Sequence, residues 1–152
     1  MRWLALLLGL ACAVAQAEMV TGEVMRVIDG DTVTLRAPQG ELRVRLAQID
    51  APELGQPYGL KARDALAGMI LGRRVIADCS DVDRYGRAIC ALQADGQDVS
   101  AAMVCDGYAW VFGRYAANRS LYSLQEAARR RGLGLWADPG PVAPWDWRKG
   151  AR

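Results

Sequence analysis

From about residue 20 to residue 50, apolar and polar positions alternate, and turn residues break the alternation into three runs. Val24, Val27 and Ile28 lead into Asp29-Gly30-Asp31, Thr32-Val33-Thr34-Leu35 follows, and Pro38-Gln39-Gly40 reverses the chain into Leu42-Arg43-Val44-Arg45-Leu46. A period of two bounded by such turn chemistry predicts a three-stranded antiparallel meander. After a loop with Gly55, Pro57 and Gly59 the period lengthens, and Ala62, Ala65, Leu66 and Met69 fall on one face of a helix from about Leu60 to Leu71. Arg74 to Cys79 and Arg87 to Leu92 then flank a polar loop and read as a further antiparallel pair.

Asp98 is placed to cap a helix through Val99, Ala102 and Met103 that stops at Gly107. The last periodic stretch, Ser120 to Arg131, puts Leu121, Leu124, Ala127 and Ala128 on one side and ends at Gly132. Five short strands with about three interspersed helices make an α+β, mainly β domain. Its pattern fits a five-stranded Greek-key barrel of the OB type, and an open α+β sheet is the competing arrangement.

Composition narrows the chemistry more than the fold. The 152 residues are 52% apolar and 24% charged with a mean hydropathy of zero, which suits one globular domain and argues against disorder. Histidine is absent. That excludes Ser-His-Asp and Cys-His nucleophiles, HExxH zinc sites and histidine-dependent nuclease centres, leaving carboxylates, arginines or a metal. Cysteines stand at 12, 79, 90 and 105 with no CxxC pair, so a sulfur-bound zinc has no support and any metal is expected to be a hard, oxygen-bound cation.

The N-terminus reads as an export signal over residues 1–17. Met1-Arg2 is followed by an apolar stretch from Trp3 to Val14 and by Ala15-Gln16-Ala17, a small-x-small site with cleavage expected after Ala17. The stretch is too short to span a membrane, so the expected product is periplasmic or secreted without stable membrane insertion. Cys12 after Leu10-Ala11 allows a lipoprotein reading, against which Gly9 stands where a lipobox prefers Leu. Without residues 1–17 the chain carries 18 cations and 17 anions, but unevenly: residues 18–113 hold 10 cations and 14 anions, residues 114–152 hold 8 and 3. Residues 138–152 form a basic tail containing proline and tryptophan.

The candidate chemistry lies at strand ends. Asp29 and Asp31 sit in Ile28-Asp29-Gly30-Asp31-Thr32, and Asp50 and Glu53 in Ile49-Asp50-Ala51-Pro52-Glu53. If the meander curls, Asp31 and Asp50 converge, and two carboxylates with backbone carbonyls and water are what Ca²⁺ takes. Arg43 and Arg45 share the polar face of their strand, and Asp83-Arg84-Tyr85-Gly86-Arg87 occupies the loop of the second hairpin. Singly, each group also has a plain structural use as a hairpin turn, an edge charge or a polar loop.

In this order and spacing, and with Gly134-Leu135-Trp136 at the end, the three groups resemble the staphylococcal nuclease (thermonuclease) family over residues 20 to 137. The resemblance implies an OB-fold barrel with helices and calcium-dependent endonuclease hydrolysis of DNA and RNA with little sequence preference. It implies that Asp31 and Asp50 bind the calcium with the Ala51 carbonyl, and that Glu53 orients or deprotonates water. Arg45 and Arg87 would grip the phosphate, with Arg84 and Tyr85 against the nucleotide. Ala51 departs from a common threonine, which matters little where only a carbonyl is needed. Tyr115 does not align securely and is left outside the site. Tyr108 and Trp110 are expected in the core.

Cys79 and Cys90 would face each other across the second hairpin, giving either a disulfide or two small buried thiols, with Cys105 unpaired. Arg129-Arg130-Arg131 is expected to serve a helix C-terminus, and Trp145-Asp146-Trp147-Arg148 to pack as a tail, with nucleic-acid contact as the alternative for both. The expected product is a monomeric, exported nuclease. The competing functions are a non-catalytic OB-fold module that binds single strands, and an envelope structural or calcium-binding protein. The latter would leave both arginines without a role.

Overall fold

The structure is a computed structural model that describes residues 18–113 and 119–152. The export signal with Cys12, and Tyr115, lie outside the described residues.

The meander forms as the alternation predicts: β1 (Glu18–Val27), β2 (Thr32–Ala37) and β3 (Gly40–Leu46) pair antiparallel in sequence. Val44 and Leu46 of β3 are buried while Arg43 and Arg45 face away from the core. A two-residue strand β4 (Ile49–Asp50) leads to helix α1 (Gly59–Ile70). The second hairpin, β5 (Arg74–Val82) and β6 (Ala88–Ala94), joins β1 through β5, and β3 pairs parallel with β6. That last pairing closes β3-β2-β1-β5-β6 into a five-stranded barrel, the OB arrangement rather than the open sheet. A register shift in β1 between Val24 and Arg26 bends the strand as closure requires.

Strand β7 (Gln97–Asp98) ends at the cap of α2 (Val99–Cys105), where the Asp98 carboxylate accepts from the Ala101 amide at 3.0 Å. The short β8 (Trp110–Val111) pairs with β4, and α3 (Arg119–Arg130) follows. On α3 the buried positions are Leu121, Gln125 and Ala128. Gln125 is buried because its side chain accepts from the Val111 amide at 2.7 Å, a polar residue turned inward to satisfy the backbone of β8. A 3₁₀ turn (Gly134–Ala137) and a single-turn helix α4 (Pro144–Trp147) follow, so among the described residues the α-helices number one more than the periodicity predicts.

The barrel interior is the main core, with Val24, Leu35, Val44, Leu46, Leu66 and Leu92 fully buried and Tyr108 packed against it. A second cluster of Ala128, Leu135 and Trp136 gathers Tyr58, Trp110 and Leu133 between α3 and the C-terminal segment. Cys79 and Cys90 are cross-strand partners in the β5–β6 hairpin and are bonded, and Cys105 is free. Among the described residues no helix is long and apolar enough to cross a membrane.

Candidate active site

Close backbone approaches bring the acidic turns together. Gly30 packs so tightly that a β-carbon there would stand 2.6 Å from the Ala51 β-carbon and 2.8 Å from that of Ala62. The Asp29-Gly30-Asp31 turn therefore seats directly on α1 and on the chain leaving β4. Asp29 accepts from the Asp31 amide at 3.0 Å, and Asp31 Oδ2 accepts from the Ala51 amide at 2.9 Å, tying the first acidic turn to the second. Beyond Pro52 the loop folds back so that Gly59 lies against the Glu53 carbonyl, with no room for a side chain. Gln56 locks this loop: its side-chain oxygen accepts from the Glu53 amide at 3.1 Å, and its amide nitrogen donates to the Val142 carbonyl at 2.6 Å.

The result is one cleft of about 730 Å³ whose walls include all eight residues that the family resemblance assigns to the site: Asp31, Arg45, Asp50, Ala51, Glu53, Arg84, Tyr85 and Arg87. Arg43, Phe112 and Arg148 line it as well. Asp50 is 2% exposed and Asp31 6%. A single nitrogen, Arg45 Nη2, lies 3.8 Å from Asp31 Oδ2 and 3.5 Å from Asp50 Oδ1, while Arg45 Nη1 donates to the Leu46 carbonyl at 3.0 Å. Arg87 is braced on two sides. Its Nε donates to Asp83 Oδ2 at 2.7 Å and its Nη1 to Thr32 Oγ1 at 3.1 Å, and Thr32 in turn donates to Asp31 Oδ1 at 3.1 Å. Tyr85 is exposed at the rim, with the guanidinium groups of Arg84 and Arg87 over its ring at 4.9 and 5.5 Å.

The electrostatics differ between the two acidic walls. Burial pushes the Asp31 carboxyl up to about 7; Asp29 and Asp50 push in the same direction, and Arg45 and the Ala51 amide oppose. Asp83 goes the other way: partial burial raises it, but hydrogen bonds from the backbone and side chain of Arg87 and from the Tyr85 amide outweigh that and hold it below the ordinary carboxylate value.

Among the described residues no three His, Cys, Asp or Glu side chains group as metal ligands. The hard donors that the structure brings together are the carboxylates of Asp31 and Asp50, which share the contact to Arg45 Nη2, while Ala51 engages Asp31 through its amide. A carboxyl destabilised by burial and by its acidic neighbours is the setting a divalent cation relieves, so the two carboxylates fit a hard cation bound largely through carboxylate oxygens and water.

Sequence reasoning missed three contributors. Thr32 bridges Asp31 to Arg87, Gln56 fixes the Glu53 loop, and Arg148 of the tail enters the cleft. Arg148 Nη2 lies 2.7 Å from Asp50 Oδ2, and its Nη1 lies 3.3 Å from Asp50 Oδ1 and 2.6 Å from Glu53 Oε1. The hydrogen bond to Asp50 above all, and that to Glu53, make this guanidinium hold its proton more firmly than usual, against the effect of burial. The sequence marked Trp145-Asp146-Trp147-Arg148 as a packing tail, but nothing in it pointed to Asp50 and Glu53 as the partners of Arg148.

Comparisons with known proteins point to one family. The family profile described as "Staphylococcal nuclease homologue" matches residues 43–138. The chain is 44% identical over 140 residues to "Protein ParB" of Escherichia coli, covering 84% of this chain and 78% of that one. It is 39% identical over 142 residues to "Micrococcal nuclease" of Shigella flexneri, covering 86% and 82%. With an "Uncharacterized endonuclease" of Escherichia coli O157:H7 it shares 41% identity over 130 residues, 85% of each chain.

Proposed function

The chain belongs to the staphylococcal nuclease family, and on that premise we infer that it is a nuclease, an exported one that needs calcium and cuts DNA and RNA with little regard to sequence. One observation carries the reading to the residue level. Three stretches separated along the chain deliver two buried carboxylates, a third carboxylate and two braced arginines to a single cleft.

A phosphodiester is anionic and repels a water or hydroxide nucleophile, so its hydrolysis needs charge neutralisation and an oriented water. In the proposed mechanism Arg45 and Arg87 donate to the phosphate oxygens. Their forks are held before substrate arrives, Arg87 by Asp83 and Thr32 and Arg45 by the Leu46 carbonyl and the two aspartates. Preorganised donors lose little on engaging the transition state. Glu53 is 40% exposed on its side chain and stands beside the acidic wall, where it orients the attacking water and accepts its proton. Asp31, Asp50 and the Ala51 carbonyl would hold the calcium ion, which when bound supplies further positive charge at the phosphate. Tyr85 offers its exposed ring to a nucleotide at the rim, and Arg84 extends the positive edge.

Export accords with the disulfide between Cys79 and Cys90, a bond that persists in oxidising compartments. The deciding experiment is a digest of single-stranded DNA and of RNA by the chain from residue 18 onward, with calcium and with chelator. Cleavage with calcium that stops in chelator is the expected result. Strand binding without cleavage would replace the nuclease by a binding module.

A further inference from the structure

The C-terminal segment is built onto the cleft rather than trailing from it. Pro144, with its preset backbone, opens the single turn of α4. Trp145 stacks on Phe112 with ring centroids 5.2 Å apart and meets Trp110 edge-on at 5.6 Å. Val142 is tied to the Glu53 loop through Gln56. Arg148 leaves the end of this anchored turn and spends its guanidinium on Asp50 and Glu53, while 45% of its side chain remains open to solvent.

We propose that Arg148 is a third phosphate-binding arginine of the cleft, held on Asp50 and Glu53 and released to the substrate when a divalent cation takes the Asp50 oxygens. The proposal rests on the nuclease reading given above. Its first ground is occupancy: Arg148 engages both oxygens of Asp50, so a cation coordinated there and this guanidinium compete for the same lone pairs. Its second is position. Once displaced, Arg148 remains on a turn anchored by Trp145 and lines the same cleft as Arg45 and Arg87, where a planar fork matches phosphate oxygens. Its neighbour Lys149 lies outside this arrangement, exposed and 3.6 Å from Asp146.

The test uses the chain from residue 18 onward, without cleavage chemistry. Calcium is titrated calorimetrically in the absence of nucleic acid, and a cleavage-resistant phosphorothioate single strand is then titrated at saturating calcium. With its competitor removed, Arg148→Gln binds calcium about tenfold more tightly, and with one charged donor lost it binds the strand about tenfold more weakly. Arg148→Lys keeps a charge but no fork and binds the strand more weakly than the parent. Lys149→Gln leaves both affinities at the parent value, and melting curves confirm that each variant is folded. Calcium affinity unchanged or weakened in Arg148→Gln overturns the exchange, and an unchanged strand affinity overturns the phosphate contact. A parent chain that binds calcium and strand yet cuts no nucleic acid would refute the nuclease reading, while the two titrations would still decide the role of Arg148.

Discussion

At the scale of single residues, Asp31 is the costliest group in the site and therefore the most informative. Its carboxyl titrates near 3.8 in an unfolded chain and is pushed up to about 7 in the fold, chiefly by burial. A group raised in this way contributes fully to stability below about 3.8; the contribution falls as pH rises between the two values and is lost above about 7. At pH 8 without a cation the ionised Asp31 costs the fold on the order of a few kcal/mol. Asp31→Asn in chelator should therefore melt about 5 °C or more above the parent at pH 8, with most of that gain absent at pH 4.5. Thermal melts at the two pH values check this, and an equal difference at both would show that ionisation of Asp31 is not what the fold resists. Asp83 carries the opposite sign, since its lowered value keeps the brace on Arg87 charged at pH values where an ordinary aspartate begins to protonate.

At the scale of elements, the second hairpin presents Tyr85 and Arg87, and the Cys79–Cys90 bond closes it below the loop. A register shift between Cys79 and Asp81 loosens the ladder just beyond the bond, so the covalent link substitutes there for regular pairing. Replacing both cysteines with serine removes a cross-link closing a loop of about a dozen residues, and roughly 2–3 kcal/mol of stability should go with it. Because Arg87 is also held by Asp83 and Thr32, hydrolysis by the folded double variant should fall only a few-fold, whereas Arg87→Lys should cost about a hundredfold. Denaturant unfolding and steady-state rates separate the two effects. Much of this level was legible in the sequence. The alternation of Leu42, Val44 and Leu46 places Arg43 and Arg45 outward, and the Cys79 and Cys90 spacing around a polar loop foretells their opposition. What escaped depends on contacts no local pattern encodes. Gln56 reaches a carbonyl 86 positions away and Arg148 carboxylates 95 and 98 positions away, from a tail whose tryptophans foretell packing but not its partners. Gln125 lies outside the apolar pattern for a related reason: its inward turn answers the backbone of β8, not its own hydropathy.

At the scale of the whole molecule, the question is what draws a polyanion to this chain. Net charge does little, since the formal value is only +2 and the residues from 18 onward are nearly balanced. The basic residues of the C-terminal third are partly committed elsewhere: Arg129 lies 4.5 Å over the Trp136 ring and pairs with Glu126, and Arg152 lies over Trp147. The cleft is lined by five acidic residues and five arginines, so without a cation it too is close to neutral. Affinity for a single strand should therefore depend on a few local contacts and on the added charge of a bound cation, not on a general basic surface. If the cleft arginines neutralise about three or four phosphates, the logarithm of the binding constant falls with the logarithm of salt at a slope of roughly −2 to −3. Titrations of a cleavage-resistant strand from low to moderate salt at saturating calcium measure that slope, and the same titrations in chelator should show much weaker binding. A slope beyond about −5, or binding indifferent to calcium, would mean that the arginines of the C-terminal third rather than the cleft hold the nucleic acid.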